Sequence, residues 1–329
     1  MQSFNAIRDV RQTGPTYVTI GNFDGLHRGH QALLTAMQEL AAAHTPLAAT
    51  ALITFFPHPL TVLRPDTEIN LLTTPQERLR LAGEQGIDIG VVQPFDREIA
   101  ALTPREFVTR LIEHLGMVGL VTGPDFALGR NRTGDLAALA ELGRELGYTL
   151  HIIRPIDVAG KAVRSSIIRQ DLLEGDVEDA ARLLGRAYHA TGTVAPGDQR
   201  GRTIGIPTAN ILTRSDKLLP ADGVYATLCH ILPDADGTAS PDAWRTYYSV
   251  SNLGVRPTVG GRERRLETHL LDFPPPGESD NLYGKTLRLE FIARLRGEKR
   301  FNGLDELLVQ IQQDIKTTRA IFANIATEM

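Results

Sequence analysis

Cys229 is the only cysteine in the chain, which excludes an internal disulfide and any metal centre built on clustered thiolates, and with them the usual mark of an oxidising compartment. Long apolar runs are missing as well. The longest, Leu47 to Phe56, is roughly half of what a helix needs to cross a bilayer. The opening residues, MQSFNAIRDVRQTG, lack the basic-then-apolar order of a secretory signal, so no membrane association and a cytoplasmic location are expected. Excess charge is slight: a formal net charge of -4 gives no electrostatic ground for a nucleic-acid partner. Two nucleotide fingerprints are also absent, G-x-G-x-x-G after the first strand and the P-loop G-x-x-x-x-G-K-[ST]. A nucleotide bound here is held by some other arrangement.

What is present fits a soluble globular protein, with 329 residues giving room for two cores or one large one. The stretch with the most chemistry is YVTIGNFDGLHRGHQ, Tyr17 to Gln31. Tyr17 to Ile20 has strand composition, Gly21 ends it, and Gln31 to Ala43 reads as a helix with Leu33, Leu34, Met37, Leu40 and Ala41 on one side. A strand that passes through glycines into a helix N-terminus suits phosphate, because free N–H groups and the positive end of the helix dipole face the ligand. His27 and His30, three apart, share one face of that mouth and can donate to phosphate oxygens.

Further strand, loop and helix units follow. Thr50 to Phe56 reads as a strand buried on both faces, and Pro57-His58-Pro59 stops it at the end where open α/β sheets bind ligands. Thr74 and Thr103 each precede proline and cap helices, Ile87 to Gln93 is a buried strand, and Val118 to Thr122 is another. The loop GPDFALGRNRTGD then leads to a helix from Asp135 to Leu146; its arginines, Arg130 and Arg132, could equally clamp a polyphosphate or be solvated surface. Tyr148 to Ile153 is a strand, and RSSIIR, Arg164 to Arg169, opens a helix with two hydroxyls and an arginine, another phosphate-type terminus. The pattern indicates a mostly parallel sheet with helices on both faces.

After Tyr188 the texture changes. His189 to Val194, Ile211-Leu212, Gly223 to Leu232, Thr246 to Leu253, Arg265 to Phe273 and Thr286 to Leu295 read as short strands, and only Leu304 to Thr327 returns to helical spacing. A closed or nearly closed antiparallel barrel with a helix against it is expected, so the domains are placed at 1–186 and 187–329. Within GTVAPGDQRGRTIGIPTAN, the glycines and Arg200 and Arg202 describe a tight loop, and Thr208 and Asn210 are spaced to share one side of a strand, oxygen donors of the kind Mg²⁺ takes. Alternation in LETHLLDF puts Glu267 with His269 on one face; a solvated edge explains Glu267 adequately, and proton removal from an attacking hydroxyl is the functional alternative.

Taken together, GNFDGLHRGH, TFFPHP, GPDFALGRNRTGD and RSSIIR in the first half, with GRTIGIPTANI, PADGVYA, SNLGVRPT, ETHLLDF and LYGKTL in the second, resemble the bacterial bifunctional riboflavin kinase/FMN adenylyltransferase (FAD synthetase) family. The resemblance covers essentially the whole chain. It implies a Rossmann-like nucleotidyltransferase domain followed by a β-barrel kinase domain, using Mg²⁺ and ATP to convert riboflavin to FMN and FMN to FAD. Carried over, His27 and His30 contact ATP phosphates with Asn22 and Asp24 nearby, and Ser165, Ser166 and Arg169 hold the phosphate end of the transfer. Phe56, His58, Pro59 and Asp125 lie on the flavin side; Gly201 and Gly205 form the phosphate loop, Thr208 and Asn210 hold Mg²⁺, and Glu267 is the base. Two departures stand out: Arg164 and Ser166 replace Ser and Thr of the usual SSTxIR, and Leu128 replaces an aromatic residue. Small-molecule partners are implied, and a weak or transient homo-oligomer is admitted. The rival readings are a nucleotidyltransferase for another substrate and a flavin- or nucleotide-binding regulatory module without turnover.

Overall fold

The computed structural model describes residues 1–197, 201, 204–233, 243–258, 261–274 and 281–328. Arg200 and Arg202 of the glycine-rich loop lie outside them. Packing divides the chain into two compact units, Met1–Ser165 and Ser166–Met329.

In chain order the first unit holds β1 (Gln2–Phe4), β2 (Thr16–Ile20), α1 (Arg28–Ala43), β3 (Ala49–Phe56), α2 (Pro59–Leu63), α3 (Pro75–Glu84), β4 (Ile89–Pro94), α4 (Arg97–Ala101), α5 (Pro104–Leu115), β5 (Met117–Thr122), α6 (Leu136–Leu146), β6 (Thr149–Ile152) and the hairpin β7 (Asp157–Val158) and β8 (Lys161–Ala162). Six strands form one sheet in the order β1-β4-β3-β2-β5-β6, every pair parallel. Alternate residues of the central strands go to opposite faces. Val18, Ile20, Ala51 and Ile53 meet Phe107, Leu111 and Leu115 of α5, whereas Tyr17 and Leu52 meet Leu34 and Met37 of α1 and Leu79 and Ala82 of α3. Burial on both faces is why these strands read as unbroken apolar runs.

The caps foreseen at Thr74 and Thr103 are full capping boxes, with Glu77 and Glu106 returning the bond; a cap of this kind contributes about 1 kcal/mol. Helix α1 begins at Arg28, three residues before the expected start, because His27 itself caps it. β1 has three residues and no periodicity to betray it, and pairing with β4 makes it a strand.

The second unit opens with α7 (Ser165–Glu174), which spans the division, and α8 (Val177–Leu184). Apolar spacing over Asp171 to Arg186 reads as helical, and the stretch is helical in two pieces. The break falls at Gly175, where φ is +84° and Arg294 leaves no room for a Cβ, and Asp176 caps the new helix. Packing joins these helices to the strands that follow, since Leu172 accepts from the Ala221 N–H at 2.8 Å and Glu174 from Arg294 Nη1 at 3.0 Å. The expected division after residue 186 follows composition instead.

Then come β9 (Tyr188–Ala195), β10 (Ala209–Thr213), β11 (Gly223–Leu232), β12 (Arg245–Thr258), β13 (Gly261–Leu270), β14 (Thr286–Arg296) and α9 (Leu304–Glu328). The six strands close into an antiparallel barrel in the order β10-β13-β12-β11-β14-β9. Leu287, Leu289, Phe291, Tyr225 and Leu253 fill it. Among them runs a dry hydroxyl chain, Thr227 to Ser249 at 2.7 Å, Thr227 to Ser251 at 2.7 Å and Ser251 to Thr268 at 2.8 Å. Cys229 is buried in this unit, and burial pushes its thiol up to about 12, out of reach of ordinary thiolate chemistry. α9 is fastened by paired bonds from Arg319 to Asp272 and by Phe322 stacked on Tyr248 at 4.1 Å. No helix among the described residues is long and apolar enough to cross a membrane.

Glu290 on β14 tests the barrel's polar wall. Burial alone would push its carboxyl up, yet His230 at 3.6 Å and Arg288 at 2.9 Å outweigh burial and hold it down at about 2. A depressed folded-state value contributes stability above the ordinary carboxylate range, lost as pH falls toward 2. Glu290→Gln should therefore cost up to about 3 kcal/mol at pH 7 by urea unfolding, with the gap closing below about pH 4; a gap unchanged between pH 7 and pH 3 would contradict this.

Candidate active site

The sheet order fixes where a ligand can sit in the first unit. From β2 the chain fills one side of the sheet through β3 and β4 and then crosses back to β5, so β2 is the switch strand. The crevice at the C-terminal ends of β2, β3 and β5 is where such sheets bind ligands, and GNFDG, FPHP and GPD leave those three ends.

The turn after β2 is tight. Phe23, Gly25 and Leu26 have φ of 47°, 87° and 39°, a left-handed backbone that costs energy at the two residues with side chains. Asp24, only 2% exposed, holds it. Its carboxylate accepts from the Leu72 N–H at 3.0 Å, the Thr73 N–H at 2.9 Å and Arg78 Nη2 at 3.2 Å. Arg78 also donates to Thr54 Oγ1 at 3.2 Å, and Thr54 donates to the Asn22 carbonyl at 2.9 Å, so one buried guanidinium ties the turn to the end of β3. Asp24, expected among the phosphate-binding residues, thus has both oxygens committed beneath the turn. Arg78 was not foreseen, although Pro75, Arg78, Leu79 and Ala82 share the buried stripe of α3, and a charge on such a stripe is the signal that could have found it.

On this support His27 caps α1, its Nδ1 accepting the His30 N–H at 3.3 Å. A neutral His27 therefore carries its proton on Nε2 as a donor. The two rings stack at 3.6 Å and 13°, with His30 edge-on to Phe23 at 5.1 Å. Gly29 lies against the His27 ring and the Val163 carbonyl, and Ser165 Oγ donates to the Asp24 carbonyl at 2.8 Å. The start of α7 is thereby fastened to the histidine turn. Ser166 and Arg169 stand in its first turns, and Arg164 is exposed beside them.

Asn22 and His58 meet side chain to side chain at 2.9 Å, and His58 caps α2, where Pro59 is the first residue. Phe56 is half-buried at the end of β3. Asp125 is exposed after β5, its carbonyl accepting from Arg132 Nη2 at 2.8 Å. That bond folds Arg132 back on its own loop. Leu128 is buried in the sheet core, so its departure from an aromatic is a matter of packing.

In the barrel, β10 and β13 pair so that Asn210 stands directly opposite Glu267. Leu266, Thr268 and Leu270 are buried between Glu267 and His269, which gives the alternation its two faces. His269 Nδ1 lies 2.8 Å from the Pro207 carbonyl and fixes the approach to β10. Gly201 accepts from the Ile206 N–H at 2.8 Å; a Cβ there would strike the Ile206 carbonyl and come within 3.5 Å of Thr208 Oγ1, and one on Gly197 would overlap the Asn210 amide. Gly205 turns with φ +76°. Asn210 Oδ1 is buried with no partner among the described residues, and a cavity of about 290 Å³ opens beside it toward Pro196, Leu212, Arg264 and Arg265. Among the described residues no cluster of three His, Cys, Asp or Glu could hold a metal.

These two constellations coincide with two families. The FAD synthetase family matches residues 9–167 and the riboflavin kinase family residues 184–322. The bifunctional riboflavin kinase/FMN adenylyltransferase of Escherichia coli (strain K12) is 37% identical over 306 residues, 93% of this chain and 92% of that protein. This chain belongs to the bacterial bifunctional riboflavin kinase/FMN adenylyltransferase family. A Bacillus subtilis (strain 168) protein of the same description is 32% identical over 313 residues, 94% of this chain and 93% of its own length. A crystal structure titled as a macrolide-efflux protein from Streptococcus pneumoniae is 28% identical, covers 97% of this chain and 98% of its own, and superposes with a TM-score of 0.84, so the family fold is shared.

Arg78→Met should strand the Asp24 carboxylate and lower stability by about 3–5 kcal/mol, read as a shift of the urea midpoint. A loss below about 1 kcal/mol would show that the pair does not support the turn.

Proposed function

We infer that this chain makes FAD in two steps, phosphorylating riboflavin with ATP in its barrel and joining AMP from a second ATP to the resulting FMN in its parallel-sheet unit, with release of pyrophosphate. The observation that carries this reading is that the two family matches fall on separate halves, each holding its own motif cluster. The functional boundary is placed after residue 186, close to where the kinase match begins at residue 184.

In the adenylylating domain, residues 1–186, we assign His27 and His30, with Asn22 and Asp24 nearby and Ser165, Ser166 and Arg169 at the start of α7, to the ATP phosphates, and Phe56, His58, Pro59 and Asp125 to the flavin side. An FMN phosphate oxygen bonds to the α-phosphorus of ATP while the bond to the pyrophosphate oxygen breaks. The attacking phosphate is already an anion at neutral pH, so no strong base is required. What the step needs is donors for the charge gathering on the leaving pyrophosphate, and stacked histidines on a braced turn offer that.

In the barrel we assign Glu267 as the base that takes the proton of the ribityl 5'-hydroxyl as that oxygen attacks the γ-phosphorus and the bond from that phosphorus to the ADP oxygen breaks. Gly201 and Gly205 let the loop backbone approach the phosphates. The residues present fit Mg²⁺: Asn210 Oδ1, buried and unpartnered among the described residues, and the Thr208 hydroxyl are neutral oxygen donors, and substrate phosphates and water complete such a shell. Bound Mg²⁺ neutralises charge on the phosphoryl oxygens.

Following flavin products over time with riboflavin, ATP and Mg²⁺ tests both halves. The double change His27→Ala and His30→Ala should lower FAD formation by at least about a hundredfold while FMN accumulates; unchanged FAD output sinks the assignment. Glu267→Ala should abolish FMN formation and spare FAD formation from supplied FMN. Equal loss of both activities would mean that the two sites are not independent.

A further inference from the structure

Glu267 has two neighbours across the sheet. On β10 its partner is Asn210, and on β12 its partner is Asn252. Residues paired across antiparallel strands project to the same face with Cβ atoms about 5 Å apart, so an asparagine flanks the carboxylate on each side. Asn252 alternates with Ser251 and Leu253, both 0% exposed and turned into the barrel. It is half-buried, and among the described residues no hydrogen bond ties its amide to any other group. The next residue on that face is Gly254. A Cβ there would strike Glu298 Oε1 and lie 3.6 Å from Asn252 Nδ2, so the missing side chain leaves room for the amide to turn along the sheet.

We propose that, once substrate is bound, Asn252 is a positioning residue for Glu267, its Nδ2–H turning from the Gly254 side to donate to one carboxylate oxygen so that the other faces the ribityl hydroxyl. This rests on the reading of Glu267 as the base. A carboxylate that accepts one fixed bond loses rotational freedom about its last torsion, and a base must stand within hydrogen-bond reach of its proton in the reactive geometry. On the other side, Asn210 Nδ2 is turned against Gly197, where a Cβ would overlap it. The donor on the β12 side supplies the bond without entering the phosphate site.

The test is a series at one position, Asn252→Ser, Asn252→Ala and Asn252→Asp, with riboflavin phosphorylation and adenylylation of supplied FMN measured on the full chain. The order of kcat for phosphorylation should be Asn, then Ser, then Ala, then Asp, with Ala down roughly ten- to a hundredfold and KM for riboflavin and ATP within about threefold. Asp is nearly isosteric with Asn, cannot donate when ionised, and repels Glu267, so packing alone would rank it above Ala. Adenylylation should stay unchanged throughout. Equal kcat across the series, or Asp performing better than Ala, overturns the proposal, as does a loss that merely follows the urea midpoint. Glu267→Ala in the same assay separates the failures: if it still phosphorylates riboflavin, the reading of Glu267 itself falls, and if it is inactive while the Asn252 series is flat, only the positioning role falls.

Discussion

A single buried ion pair underlies the first unit. Asp24 and Arg78 are 2% and 1% exposed at the side chain and 3.2 Å apart, and between them they satisfy Thr73, Leu72 and Thr54. Removing two charges from water is costly, and a pair of this kind contributes little net stability against an apolar equivalent. Its effect is specificity of shape. The left-handed residues at Phe23 and Leu26 are unfavourable alone, and a network accepting from every side admits one conformation of the turn. The histidine stack inherits that conformation, because His27 caps the helix that begins where the turn ends.

In the second unit the corresponding constraint is register. A slip of one residue between β10 and β13 would move Glu267 to the opposite face from Asn210. A slip between β12 and β13 would likewise part Glu267 from Asn252, and hydroxyls inside the barrel oppose that one: Thr227, Ser249, Ser251 and Thr268 bond one another across β11, β12 and β13 with none of them exposed. Each slip would leave dry hydroxyls unpaired, at about 1–3 kcal/mol apiece. The inner face thus sets the alignment that the outer face uses, since Ser251 and Thr268 adjoin Asn252 and Glu267.

Much of this was legible in the residues. Short strand-forming runs between turns rich in glycine, proline and aspartate located all six barrel strands, and threonine–proline–glutamate spacing located α3 and α5 because caps are local chemistry. The family was legible for the same reason, its motifs being short and contiguous. What escaped depends on partners distant in the chain. The pairing of Asp24 with Arg78, fifty-four residues on, is invisible in the local motif. Helical apolar spacing over Asp171 to Arg186 does not show the break at Gly175, where Arg294 fills the space a side chain would need. The start of α1 was missed because Gly29 and two histidines are weak helix formers, and the His27 cap compensates.

The bond from Ser165 to the Asp24 carbonyl joins positions 141 residues apart. The hydroxyl belongs to the last residue of the unit and the carbonyl to the turn after its second strand. During synthesis from the N-terminus, α1 and the first strands emerge long before their fastening does. The parallel-sheet unit is therefore closed last at the turn that opens α1, when the growing chain has already entered the helix that leads into the barrel.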